Sequence, residues 1–298
     1  MAGTPRVLVS LIDEGQEYQR LQGSDALATG ERLGFEVSVV YGKGDPATQA
    51  RQIEEAVKGP EAGRPTAVVV QPLSAAALEG AARAALDAGI GWVSLEPAFY
   101  LDALQRTHPG KLVAVVTADA QEMGRLQARI VRALLPRGGS VVAIEGPVLS
   151  PPVINRREGL RDGLRGSGVE IVKTLAGDWT EASGEKAATL WLRLGRAARP
   201  SLIAAQNDAM AAGARKAIAA WKPEWLDLPI TGCDGLPDGG QRMVREKTLS
   251  ATVVQPTSTG PAIELVARGL RGETVPPATS LSARTFPSLE ELERVRRG

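Results

Sequence analysis

The sequence predicts an α/β protein built as two doubly wound parallel-sheet lobes joined by a hinge that the chain crosses more than once. Two observations carry this expectation. Short β-branched or aliphatic runs alternate with helix-length stretches rich in Ala, Leu, Glu and Arg. That alternation also breaks once, near Gln105–Lys111, and then restarts over a similar length. Runs apolar throughout suit strands covered on both faces, and strand–helix alternation implies parallel sheets with right-handed crossovers. A chain of 298 residues is long enough for two such lobes, each with its own core.

In order, the first strands are expected at Val7–Ile12, Phe35–Val40, Ala67–Val70 and Gly91–Leu95. Ser24–Leu33, Ala47–Val57 and Ala75–Ala88 fill the helical intervals. Around Gln105–Lys111 polar residues with His108, Pro109 and Gly110 are expected to replace the helix. Strands follow at Leu112–Val116, Ser140–Ile144, Glu170–Thr174, Ser201–Ala205 and Ile230–Gly232. The strand Ser250–Val254 and the helix Thr257–Leu270 come too late to form a lobe alone and read as returning to the first one, whereas boundaries drawn by residue, 1–117 with 256–281 for the N-terminal lobe and 118–255 with 282–298 for the C-terminal lobe, leave that strand in the second. Asp45-Pro46 and Asp119 with Glu122 read as helix starts.

Composition removes several functions. One cysteine, Cys233, rules out an intrachain disulfide and a cysteine-based metal cluster. One histidine, His108, rules out a histidine ligand cluster, and it sits in a Pro/Gly loop with no evident partner. No metal and no cofactor are expected. The net charge of +1 gives no electrostatic reason for nucleic acid or an anionic membrane. No apolar run reaches the roughly 18 residues of a membrane span. The N-terminus enters a strand with no leader pattern, which fits a cytosolic protein or one whose leader is missing from this sequence.

In open parallel sheets ligands bind outside the carboxyl ends of the strands. The polar residues expected there are Ser10, Asp13, Glu14, Gln71, Glu96, Asn207, Asp208, Asp234 and Gln255. Carboxylates accept two donors and amides both donate and accept, which suits vicinal hydroxyls. Trp179, in a loop after a strand, offers a flat face for a sugar ring, and Arg156, in a loop-to-helix segment, a fork of donors. Each has a plainer explanation: Asn207, Asp119 and Asp178 are good helix caps, Trp179 an edge-of-core residue, and Arg156 a solvated helix residue. Their shared place at strand ends favours binding. Gly42-Lys43-Gly44-Asp45-Pro46-Ala47 matches a dinucleotide glycine pattern, yet it follows the second strand and Asp45 would repel a pyrophosphate. It reads as a turn before a capped helix. Glu14 and Glu96 could pair as glycosidase acids, but nothing shows that they approach each other.

Taken together, these segments resemble the type I periplasmic sugar-binding proteins, the ribose-binding group in particular, with the effector domains of the Lac-repressor family as relatives. The specific pieces are Ala205-Gln206-Asn207-Asp208-Ala209-Met210-Ala211-Ala212-Gly213-Ala214, then Thr231-Gly232-Cys233-Asp234-Gly235, then Leu249–Pro256. Arg156-Arg157-Glu158-Gly159-Leu160 is similar to a helix start of that family. The resemblance implies that Asn207, Asp234 and Gln255 bond sugar hydroxyls, that Arg156 is a binding arginine, and that Trp179 stacks on the ligand. It also implies that Gln71 and Glu96 line the cleft from the first lobe. The Asp13–Tyr18 loop, with Tyr18 in place of a stacking ring, and Glu96-Pro97 depart from the ribose pattern. The tail Pro287–Gly298, with Leu289, Leu292 and Val295 at helical spacing, runs beyond the family's usual end.

The expected function is therefore a non-catalytic solute-binding protein for an ABC-type importer. It would act as a monomer in the periplasm or outside the cell, close its lobes on a sugar or polyol, and hand it to a permease. A near-complete shift to the closed form takes about 5 kcal/mol of differential affinity. The alternative is the ligand-sensing domain of a transcriptional regulator or sensor kinase. A glycosidase ranks below both.

Overall fold

The computed structural model describes residues 4–194 and 198–297, with the backbone alone described for 295–297. The first half of the chain runs β1 (Arg6–Leu11), α1 (Glu17–Leu33), β2 (Glu36–Tyr41), α2 (Pro46–Lys58), β3 (Ala67–Val70), α3 (Ala75–Asp87), β4 (Gly91–Ser94), α4 (Leu101–Thr107) and β5 (Val113–Ala118). The second runs α5 (Ala120–Leu134), β6 (Gly139–Glu145), α6 (Pro151–Leu164), β7 (Val169–Ala176), α7 (Glu181–Arg193), β8 (Leu202–Ala205), α8 (Asp208–Trp221) and β9 (Ile230–Asp234). It closes with α9 (Gly240–Arg245), β10 (Ala251–Val254), α10 (Thr259–Leu270), β11 (Ala278–Leu281), β12 (Arg284–Phe286) and α11 (Leu289–Arg297).

These elements form two compact units, Met1–Ala118 with Thr257–Leu281 and Asp119–Pro256 with Ser282–Gly298. The first unit's sheet is parallel throughout, in the order β11-β5-β4-β3-β1-β2. Side-chain alternation sorts its apolar residues to two faces. Val7, Val9 and Leu11 point to α1 and α10, where Ala26, Ala262, Ile263 and Val266 lie. Leu8, Val68 and Val70 point to α2 and α3, where Ile53, Val57, Leu78 and Leu86 lie. A strand so covered must be apolar on both sides, which is why these runs carry no alternation of polarity.

The second unit repeats the plan in the order β12-β10-β9-β8-β6-β7, parallel except for β12 against β10. Val142, Ile144 and Ile203 face α7 and α8, while Val141, Leu202 and Ala204 face α5 and α6. α5 and α6 touch through their backbones. A Cβ at Gly159 would lie 1.9 Å from the Gln121 carbonyl oxygen, and one at Gly124 would lie 2.2 Å from that of Arg156. Gly159→Ala is therefore expected to force these helices apart and cost about 3 kcal/mol, the upper end for overpacking. Urea unfolding of the folded variant measures this, and a loss under 1 kcal/mol would show that the crossing yields.

Several sequence expectations need correction. The helix break near Gln105–Lys111 is confined to His108–Lys111: α4 runs to Thr107, because Leu101 and Leu104 have a core to enter. His108 ends that helix with a partner, its Nε2 standing 3.2 Å from Asp87 Oδ1. The late strand does not return to the first unit. β10 pairs with β9 in the second sheet, and only α10 and β11 go back. Asp178 does not cap α7. Thr180 does, accepting from the Ser183 N–H, while Asp178 takes the Thr180 N–H and hydroxyl. The Thr180 hydroxyl is also the main reason that Asp178 is held below the usual carboxylate range. Asp45, Asp119 and Asn207 do cap α2, α5 and α8. The tail forms α11 against α5 with Leu292 buried, and the side chain of Val295 lies outside the described residues. Among the described residues no helix is long and apolar enough to cross a membrane.

Candidate functional site

In the first unit, β1, β3 and β4 are neighbours, so their carboxyl ends open side by side. Gln71 follows β3 and is buried, and its Nε2 donates to Glu96 Oε1, just past β4, at 3.0 Å. The fully buried Gln49 of α2 fixes this pair from behind. Its Nε2 donates to the Gln71 carbonyl at 2.9 Å and its Oε1 accepts from the Leu73 N–H at 2.9 Å. Asp13 and Glu14 sit in the loop between β1 and α1. Asp13 Oδ1 accepts from the Gly15 N–H at 2.8 Å, and the Arg20 guanidinium donates to the carbonyls of Glu14 and Gly15. Both acids line a groove of about 630 Å³ with Arg20, Tyr41 and Lys43, beside the edge strand β2. Burial, then the Glu14 charge, raises the Tyr41 hydroxyl above its usual range. Tyr18, half-buried, is the second residue of α1.

In the second unit the expected residues converge on one side chain. Arg156 lies in the second turn of α6, not in a loop, and is buried instead of solvated. Its Nη1 donates to the Gln206 carbonyl at 2.5 Å and its Nη2 to Gln255 Oε1 at 2.6 Å. Asp234 Oδ1 stands 3.8 Å from Nη1, and the Trp179 ring centroid lies 5.6 Å from the guanidinium carbon. Four strand ends supply these partners, because β10, β9 and β8 are adjacent and β7 flanks β6. Asn207 caps α8 through its Oδ1, to the Met210 N–H at 2.9 Å, and spends its Nδ2 on the Trp179 carbonyl at 2.8 Å. Capping and a place in the cluster are thus one role here. Trp179 has a left-handed backbone (φ 76°) and partly packs on the core under α7 and α8. A Cβ at Gly146 would lie 2.4 Å from its ring.

Three second-unit residues, Gln206, Glu145 and Arg157, were not assigned to the site by sequence. Gln206 braces the loops, accepting from the Gly146 N–H and donating to the Val153 carbonyl. Its signal was an amide directly before Asn207 at a strand end. The buried Glu145 and Arg157 form an ion pair at the end of β6, and the bond to Glu145 raises the Arg157 pKa further. Asp208 is buried behind the cluster. Cys233 is buried as well, which pushes its thiol to about 12 and leaves it in the neutral form. Among the described residues no group of three or more metal-ligating side chains occurs.

Two parallel α/β units, each presenting amides and carboxylates at strand ends, define a binding protein of the doubly wound class, in which recognition is by hydrogen bonding. The chain belongs to the periplasmic binding protein domain family, whose model matches residues 7–273. A D-ribose/D-allose-binding protein of Pseudomonas aeruginosa is 31% identical over 179 residues, 59% of this chain. That match spans about half the length of the relative, 53%. A periplasmic solute-binding protein of an ABC transporter from Actinobacillus succinogenes, solved with D-allose, superposes with a TM-score of 0.84 at 19% identity. The match covers 98% of this chain and 100% of that one. The Caulobacter myo-inositol binding protein superposes at 0.79 with 23% identity, covering 100% and 99%. The two-lobed α/β architecture and the non-enzymatic family expected from sequence are both borne out. Residues 274–298, which hold β11, β12 and α11, lie beyond the family match.

Proposed function

We propose that this chain captures a small neutral polyhydroxylated ligand, a monosaccharide or polyol, and delivers it to the permease of an ABC-type importer. The observation that carries this reading is the cluster of Arg156, Trp179, Asn207, Asp234 and Gln255 at adjacent strand ends. The first unit, by itself, presents the Gln71–Glu96 pair of donors and acceptors at its own strand ends. Carboxylate and amide oxygens take ligand hydroxyl protons, the guanidinium donates to hydroxyl oxygens, and the indole face covers C–H groups. The named ligands of the relatives, ribose, allose and myo-inositol, are of this class.

Charge narrows the class. Within the second unit Arg156 already faces Asp234 Oδ1 at 3.8 Å, so an added carboxylate or phosphate on the ligand competes with Asp234 for that charge. Calorimetry with D-ribose, D-allose, L-arabinose and myo-inositol is expected to give heat with at least one, and D-glucuronate none. Folded protein that takes up no neutral member would sink the proposal. Family membership supports a periplasmic or extracellular location, and the cytosolic alternative finds no support in it. The reading makes the protein a monomer with no nucleic acid partner.

A further inference from the structure

We propose that Asp208 is a positioning residue, whose buried carboxylate holds the Asp234–Gly235 turn in the conformation that presents Asp234. This rests on Asp234 being a ligand residue in the function proposed above. Asp208 opens α8 and is 4% exposed. Its Oδ2 accepts from the Gly235 N–H at 2.7 Å and its Oδ1 from the Thr252 hydroxyl at 2.7 Å. The backbone closes around it from two more places. A Cβ at Gly232, in β9, or at Gly240, at the start of α9, would lie 2.0 Å from one of its oxygens. One carboxylate thus joins α8, β9, the following turn, α9 and β10.

The turn needs such a hold. Asp234 has φ 100° and Gly235 φ 58°, two consecutive left-handed residues. That conformation is uncommon for a residue with a side chain and persists only where the surroundings over-determine it. At the edges of the turn the Gln255 N–H donates to the Asp234 carbonyl and Gln241 Nε2 to the Gly235 carbonyl. The Gly235 N–H is the group between them, and Asp208 takes it. An acid in a helix's first turn is already favourable when exposed, so the dipole does not require the burial. Burying a carboxylate is costly unless its oxygens are bonded, and here they are bonded to the turn and to the neighbouring strand. The result is Asp234 Oδ1 set 3.8 Å from Nη1 of the Arg156 guanidinium, whose Nη2 donates to Gln255.

Two measurements test this. In the first, hydrogen exchange of the Gly235 amide is followed in the ligand-free protein. Protection in the wild type, its loss in Asp208→Ala and its return in Asp208→Asn are expected, since the Asn oxygen still accepts from Gly235 and its NH₂ can donate to Thr252. In the second, D-allose affinity is measured in a cycle of Asp208→Ala and Asp234→Ala. Asp208→Ala is expected to weaken binding about 30-fold, and Asp234→Ala to add under about 3-fold on that background, as coupled residues do. Thr252→Val, which spares the Gly235 bond, lowers the melting temperature with affinity unchanged. Additive losses in the cycle, or wild-type affinity in folded Asp208→Ala, overturn the proposal. If Asp208→Ala does not fold, Asp208→Ser takes its place with the same criteria. If the wild type takes up no D-allose, the cycle is run with whichever of D-ribose, L-arabinose or myo-inositol binds, and if none binds the ligand assignment is what fails. Gly235 exchange then decides the positioning alone, and equal exchange in wild type and variant overturns it.

Discussion

Arg156→Ala is expected to lower affinity for the bound sugar at least about 100-fold, close to 3 kcal/mol. The guanidinium is the shared partner of the Gln206 carbonyl, Gln255 Oε1 and Asp234, and it flanks Trp179. Truncation therefore removes ligand donors and releases three groups that it aligns. It also leaves the Asp234 carboxylate, 16% exposed, without the guanidinium 3.8 Å away, and removing one partner of a largely buried pair is strongly destabilising. The melting temperature should fall as well. Arg156→Lys keeps the charge but replaces a planar fork with one point donor, so about a 10-fold loss is expected. Calorimetry at 25 °C and thermal denaturation separate the two effects. A folded Arg156→Ala with wild-type affinity would remove Arg156 from the site.

Trp179→Ala should weaken binding about 30-fold, within the range for a stacked aromatic anchor. The alternative from sequence, a ring that only seals the core edge, predicts a lower melting temperature with unchanged affinity. The structure contains elements of both: the ring partly packs on the core, yet its backbone is held left-handed and bonded to Asn207. Strain of this kind costs about 1–3 kcal/mol and is retained where the surroundings enforce it. Gly146→Ala separates the readings without removing the ring. Its methyl would enter the ring's space, displacing the indole while every polar partner keeps its chemistry. About a 10-fold loss of affinity is expected if the ring is a platform. A fully retained affinity in both variants would leave Trp179 a core residue.

How much of this was legible in the sequence follows from the range of the forces involved. Apolar runs such as Ala67–Val70 and Leu202–Ala205 announce strands because a strand covered on two faces needs apolar residues on both, a property of a few neighbouring residues. Caps such as Asp45 and Asn207 were legible for the same reason, since their partners lie three residues away. The α4 turns were missed because Leu101 and Leu104 are helical only by virtue of the core that they enter. Tertiary burial outweighed local polarity there.

The candidate site divides along the same line. From the sequence alone came the residue types and their position at strand ends, and with them the class of ligand they suit. What it could not supply was Arg156 as the hub, because its partners stand 50 and 99 residues away in the chain. Nor could it supply the split of the first-unit residues into a Gln71–Glu96 pair and an Asp13–Glu14 groove at the sheet edge. Two lobes with polar strand ends were written into local pattern. Which of those polar groups meet was decided by strand order and by the burial of Arg156 and Asp208. Both are long-range consequences of packing that no local window contains.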